Sequence, residues 1–256
     1  MKREQIASTG AEFMARKKGK GGGKRKRSQQ RAQYDELDKY PVIPPHAFAR
    51  IVRDKQTLNI LYQIIEPPMT KKEQEQREEI MDIFIRSLTA NIEEIDADPD
   101  AYLRTALDKV IKSYGMKINK KSKSKMFYYL RRDLIGYGKM DMMMHDINVE
   151  DISLDGTNVP IFAYHRKFES IETTCVWETD AELESYVIKL AQRCGKHISV
   201  AEPLLDATLM DGSRIVMKLG REISTRGSAF CIRRFKDDPF SPADIVAFRT
   251  MSSLMA

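Results

Sequence analysis

Arg214, Arg226, Arg233 and Arg234 crowd into residues 202–235, EPLLDATLMDGSRIVMKLGREISTRGSAFCIRRF, on segments that alternate like strands. Each guanidinium is a planar fork of donors suited to phosphate or carboxylate oxygens taken two at a time. Several such forks leaving one small sheet repel one another, so gathering an anion is the chemistry this stretch could do. A second reading stays open. The same forks could pair with Asp206, Asp211 and Glu222, because charged faces of strands are commonly solvated or paired.

Alternation defines three strands around these arginines. Leu205, Ala207 and Leu209 alternate with Asp206, Thr208 and Met210, and Asp211-Gly212 then supplies a hairpin turn. Over 214–219, Arg214 and Lys218 fall on one face and Ile215, Met217 and Leu219 on the other. Over 229–235, Cys231, Arg233 and Phe235 lie opposite Phe230, Ile232 and Arg234, and Arg226-Gly227 sits in the connecting loop.

Upstream, short strands are expected over 147–154, 160–164 and 170–177, with an Asp155-Gly156 turn after the first. A helix over 180–194 puts Leu183, Tyr186, Val187, Leu190 and Ala191 on one face and ends at Gly195. This β-β-β-α-β-β-β order predicts an α+β domain over 140–238, a curved antiparallel sheet with a helix packed against it.

Residues 34–139 read as a mostly helical subdomain. It opens with an extended, proline-rich lead-in over 40–45, a segment over 47–53 and an apolar strand over 58–66. Thr70 and Glu73 have capping-box spacing, and Ile80, Ile83, Phe84 and Leu88 form the apolar face of the helix they start. Two further helices are expected over 98–117 and 123–136. Lys117, Lys120, Lys121, Lys123 and Lys125 cluster where these two meet, as a solvated connection. The hinge that follows, 136–146, holds Met140, Met142, Met143, Met144 and His145. Thioethers can ligate soft metals, but methionines at a junction commonly fill irregular gaps, and no metal is expected. Ser241-Pro242-Ala243-Asp244 carries a cap, a proline and a carboxylate in the order of a helix start, within a linker over 239–256.

The chain of 256 residues is 42% hydrophobic, enough to bury a substantial core. No apolar run reaches the 18 or so residues of a membrane span, and no signal-peptide core opens the chain; a cytoplasmic protein is expected. Three cysteines, Cys175, Cys194 and Cys231, lack C-x-x-C spacing, which argues against a disulfide framework or a zinc site. The net charge of +6 is unevenly spread: residues 1–33 carry 11 of the 43 Lys and Arg but 2 of the 37 acids. Residues 16–31, RKKGKGGGKRKRSQQR, have no acid and no large apolar side chain, so 1–33 is expected to be a disordered basic tail. It could solubilise, meet an anionic membrane surface or acidic partner, or bind nucleic acid. The last is disfavoured, because no recognition motif accompanies it.

Three segments, ISLDGTNVPIFAYHR (152–166), LAQRCGKHISVAEPLLDATLMDGSR (190–214) and REISTRGSAFCIRRF (221–235), resemble the N-terminal region of archaeal type II/IV secretion-system ATPases. That family includes the archaellum motor ATPase and GspE-like pilus-assembly ATPases. The resemblance runs from about residue 40 to the end and is dense from Asp146 onward.

The resemblance implies a PAS-like α+β domain in a hexameric ATPase. Nucleotide is held between this region and a C-terminal RecA-like motor domain, which this chain lacks. ATP and Mg²⁺ would bind only with that domain, and the chain alone is expected to be inactive. Neither Gly23-Lys24 nor Gly195-Lys196 is a P-loop, since Lys18 and Leu190 stand where the first glycine is needed. Carried over residue by residue, the resemblance makes Arg214 (in DGSR) and Arg233 (in CIRR) the arginines that reach nucleotide phosphates, with Arg226 (in TRGS) and then Arg234 behind them. His165 and Arg166 match the family's Y-H-R segment and are expected to pair structurally. The implied partners are further copies of the chain in a hexamer and a membrane platform protein. The implied location is the inner face of the cell membrane, held peripherally. A stand-alone docking or regulatory module of the same machinery is the alternative.

Overall fold

A computed structural model describes residues 33–87, 98–235, 242–247 and 249. The basic tail over 1–32, Leu88 of the first helix face, Ser241 and most of the linker lie outside the described residues. The fold is α+β. Strands β1 (Tyr34–Ile43), β2 (Ala47–Asp54) and β3 (Ile60–Ile65) precede helices α1 (Lys71–Ser87), α2 (Pro99–Ser113) and α3 (Lys120–Leu130). A π-turn at Arg131–Ile135, a 3-10 turn at Gly138–Met140 and the short α4 (Asp141–His145) lead into β4 (Val149–Leu154), β5 (Pro160–His165) and β6 (Glu169–Val176). Then come α5 (Asp180–Arg193), β7 (Leu204–Thr208), β8 (Arg214–Lys218), β9 (Ala229–Arg233) and α6 (Pro242–Ala247).

All nine strands described form one sheet in the order β1-β2-β3-β6-β5-β4-β9-β8-β7. Two features differ from the expectation of a helical subdomain followed by an antiparallel sheet. The stretch expected to be mostly helical supplies three strands to the same sheet, of which β3 is the apolar strand expected over 58–66, and β3 joins β6 in parallel through Leu61–Glu172 and Tyr62–Thr173. The sheet is therefore mixed. β1 was obscured because it is an edge strand carrying Asp35, Glu36, Asp38 and Lys39, the kind of charge that discourages further pairing at an edge.

One face of the sheet is apolar and covered. Ala207, Ile215, Ile232, Ile152, Ala163 and Ile171 form a continuous rung across β7, β8, β9, β4, β5 and β6. Helix α5 lays Leu183, Val187, Leu190 and Ala191 toward this core. Its N-terminus is capped by Thr179, whose hydroxyl accepts from the Glu182 amide. Trp177, Tyr186 and Phe230 stack at the seam, with Trp177 and Tyr186 centroids 4.9 Å apart. Met140, Met142, Met143 and Met144 are buried in the same core, where their flexible side chains fill the irregular space beside β1 and β4. Each fully buried side chain of this size contributes about 1.5–3 kcal/mol.

A second, smaller core gathers Ile80, Phe84, Leu103, Leu107, Met126 and Leu130 between α1, α2 and α3. The capping box forms: Thr70 N donates to Glu73 Oε2 at 2.8 Å and Glu73 N to Thr70 Oγ1 at 3.3 Å. The Ser122 hydroxyl donates to Glu73 Oε1 at 2.6 Å, tying α3 to the start of α1. This bond, followed by the Thr70 amide, holds the Glu73 carboxyl down at about 2. Helix α3 begins three residues before its expected start because Asn119 caps it, accepting from Ser122 N at 2.7 Å. Arg193 Nη2 donates to Ile135 O at 2.6 Å and the Tyr186 hydroxyl to Tyr137 O at 2.7 Å, fixing the turns before α4 against α5. Gly136 is required there, since a Cβ would meet Asp141 Oδ1 at 2.2 Å. No described helix is long and apolar enough to cross a membrane.

Candidate anion-binding face of the sheet

The opposite face of the sheet carries the residues that alternate with the apolar rung. In register across β7, β8, β9, β4 and β5 lie Thr208, Arg214, Arg233, Asp151 and Tyr164. Arg214 and Arg233 are directly opposed on neighbouring strands, an arrangement that is destabilising for like charges. Asp151 offsets one of them, accepting from Arg233 Nε at 3.1 Å. That pair lies in water, with the Arg233 side chain 79% exposed, so it leaves the guanidinium available. Arg214 is exposed and has no ion-pair partner among the described residues. Lys218 points from the same face of β8, beyond the half-exposed Val216.

Arg226 is elsewhere. It lies in the β8–β9 loop, past the Lys218–Ala229 end of the hairpin, whereas Arg214 and Arg233 mark the other end, about 13 Å along the strands. Its carbonyl accepts from Thr157 N at 3.0 Å, docking the loop on the β4–β5 turn. The contact is close: a Cβ on Gly156, whose φ is +132°, would stand 2.3 Å from Arg226 O. Below the loop, Thr157 and Arg221 both donate to Asp180, which holds that carboxyl below its usual range.

Arg234 has a structural setting. Its Nη1 donates to the carbonyl oxygens of Asp146 and, at 2.9 Å, Val149, while its amide donates to Glu150 O at 2.8 Å. Asp146, 1% exposed, is the centre of a buried node. The Tyr40 and Tyr62 hydroxyls donate to its Oδ2 at 2.7 and 2.6 Å, and Asn148 N to its Oδ1 at 2.9 Å. His165 Nδ1 accepts from Lys167 N at 3.1 Å, so the neutral ring carries its proton on Nε2, 3.0 Å from the Tyr40 oxygen. Burial keeps the His165 ring below its ordinary pKa, and burial, reinforced by Asp146, pushes both phenols up. Arg166 pairs with Glu150 at 2.9 Å on the surface.

The four sequence candidates thus fall in three places, and only Arg214 and Arg233 stand together. Asp151 was missed, although its alternation with the buried Ile152 signals the polar face. Asp146, Tyr40 and Tyr62 gave no spacing signal, being far apart in the chain. The Arg214–Arg233 pair presents two guanidinium forks from one rung, the type of group suited to phosphate oxygens. Among the described residues no group of three or more His, Cys, Asp or Glu is placed to hold a metal ion.

No protein-family model matches the chain. Three uncharacterized proteins of Methanocaldococcus jannaschii are similar in sequence. MJ1288 is 40% identical over 164 residues, 64% of this chain and 65% of that protein. MJ0900 is 31% identical over 222 residues, 85% of this chain and 39% of that protein. MJ0781 is 32% identical over 126 residues, 49% of this chain and 17% of that protein. The chain therefore spans less than two thirds of the length of each. Among solved structures, the VirB11 ATPase from the Brucella suis type IV secretion system, in complex with sulphate, aligns over 48% of this chain and 36% of that one. The identity is 15% and the TM-score 0.38, too loose a likeness to bear on fold or function.

Proposed function

We propose that this chain is the N-terminal region of a hexameric type II/IV secretion-system ATPase, a PAS-like module whose Arg214 and Arg233 contact the phosphates of nucleotide held by a P-loop motor domain. The observation that carries this reading is the exposed, directly opposed Arg214–Arg233 pair, of which only one member is offset by a carboxylate. The resemblance of residues 152–166, 190–214 and 221–235 to that family supports it. When bound, ATP with Mg²⁺ supplies the phosphoryl group and the motor domain the chemistry. The chain's own residues contribute charge: two guanidiniums, held in register by β8 and β9, placed to meet negative charge on phosphate oxygens. Arg226 takes a separate, peripheral role at the far end of the hairpin, and Arg234 holds the sheet to the Asp146 node.

The test is ATP turnover by this chain in its connection to a P-loop motor domain. Arg214→Ala and Arg233→Ala should each lower kcat by roughly 10³-fold, the lower end of the range for arginines that meet a transferring phosphoryl group. Turnover unchanged in both variants, with unchanged thermal melting, would sink the assignment.

A further inference from the structure

A groove of about 660 Å³ opens at the opposite edge of the sheet, between the β1–β2 turn, α2, α3 and α4. Its size falls within the range of about 300–1,000 Å³ that holds small organic ligands. The apolar lining is Phe127 from α3 with Val42, Ile43, Pro44 and Pro45 from the end of β1 and its turn, over the buried Leu107 and Tyr128. The His46 ring lies 5.5 Å from that of Tyr128 and is hydrogen bonded to the Ser124 hydroxyl at 3.1 Å, which braces the turn against α3.

The charges on the rim do not cancel. Arg131 is paired with Asp100 at 2.8 Å, and Lys123 with Asp108. Two cations remain without an ion-pair partner among the described residues, Arg104 on α2 and Lys120 at the first turn of α3, against one further lining carboxylate, the buried Asp141, which accepts from Tyr137 N at 2.9 Å; the lining is left with one surplus positive charge. The Arg104 guanidinium lies over the Phe127 ring, 4.3 Å from its centroid, which holds a flat cationic surface against the groove wall. That surplus, borne by Arg104 and Lys120 at the rim, favours an anion over a cation, and a neutral molecule would gain only the apolar lining. We propose that this groove binds a small organic anion, one with an apolar or planar body for Phe127, Pro44 and Pro45 and a phosphate or carboxylate for Arg104 and Lys120. The site is separate from the Arg214–Arg233 pair, so it stands or falls independently of the nucleotide reading.

The probe is the planar anion 1-anilinonaphthalene-8-sulfonate, titrated by fluorescence against the whole chain, with the neutral N-phenyl-1-naphthylamine as its uncharged counterpart. Saturable 1:1 binding is expected, weakened about tenfold by Arg104→Gln and by Lys120→Gln, the scale of losing one charge-assisted hydrogen bond. Arg166→Gln, a surface change at a residue that does not line the groove, should leave it unchanged. Binding of the neutral probe should be insensitive to all three. Circular dichroism of each variant separates lost affinity from lost fold, and Lys120→Gln, at an exposed helix position, keeps the test open should Arg104→Gln unfold. Displacement of the probe by adenosine monophosphate identifies a phosphate ligand, and displacement by decanoate a carboxylate. Affinity unchanged in both groove variants, or displacement by neither competitor at millimolar concentration, would overturn the proposal.

Discussion

Arg233 and Arg234 are neighbours in the chain, yet they belong to regions of opposite character. Arg233 stands on the open face beside Arg214, while Arg234 reaches back to the carbonyls that open β4. Strand alternation separates them, and burial decides what each can do. Around Asp146 every buried hydroxyl and amide named above has a partner, because an unsatisfied polar group there would cost the full price of its desolvation. On the open face water solvates the guanidiniums, so the fold leaves Arg214 without an ion-pair partner among the described residues and Arg233 in a water-exposed pair with Asp151. The same residue type is architecture in one place and an available site in the other.

The comparison breaks most visibly at the node. Asp146→Ala removes the acceptor of both tyrosine hydroxyls and of the Asn148 amide. Urea denaturation should show a loss of about 3 kcal/mol, because the remaining buried donors are stranded. A loss below about 1 kcal/mol would mean that the node is not what joins β1 and β3 to the start of β4. A smaller effect is expected at Gly156, where the backbone φ of +132° and the Arg226 carbonyl leave no room for a Cβ. Gly156→Ala should cost about 2 kcal/mol through strain and displacement of the β8–β9 loop. If melting is unaffected, the loop is not docked on the β4–β5 turn and Arg226 is not held at that end of the hairpin.

How much of this was legible in the sequence follows from the range of each interaction. The Asp155-Gly156 and Asp211-Gly212 turns, the α5 face and the three strands of residues 204–233 are local patterns, and the structure contains each of them. The capping box at Thr70 and Glu73 is equally local, and it forms. The parallel junction of β3 with β6 was not legible. Its partners, Tyr62 and Thr173, meet only after four helices and two further strands have intervened, and no periodicity encodes that choice. Arg234 shows the same limit. Alternation places it on the covered side, but nothing near it in sequence marks Asp146, Tyr40 and Tyr62 as the node it approaches. Asp151 is the intermediate case: its face was readable from the pattern, while its position opposite Arg233 depends on the pairing of β4 with β9.

The smallest expected effect is the most discriminating. Arg214→Ala removes one exposed charge that opposes another across a strand pair, so stability should change by no more than about 0.5 kcal/mol, in the direction of a gain. The difference appears when an anion is supplied. Inorganic phosphate that binds the native face stabilises by mass action, about 0.4 kcal/mol when its concentration equals the dissociation constant and more above it. In thermal melts at matched ionic strength, phosphate against chloride should raise the Tm of the wild-type chain more than that of Arg214→Ala. Arg233→Ala should behave like Arg214→Ala, since both guanidiniums belong to the same rung. An equal rise in all three proteins would assign the anion effect to some other part of the surface. The open face would then be a solvated sheet face like any other, and its contrast with the buried node would carry no functional meaning.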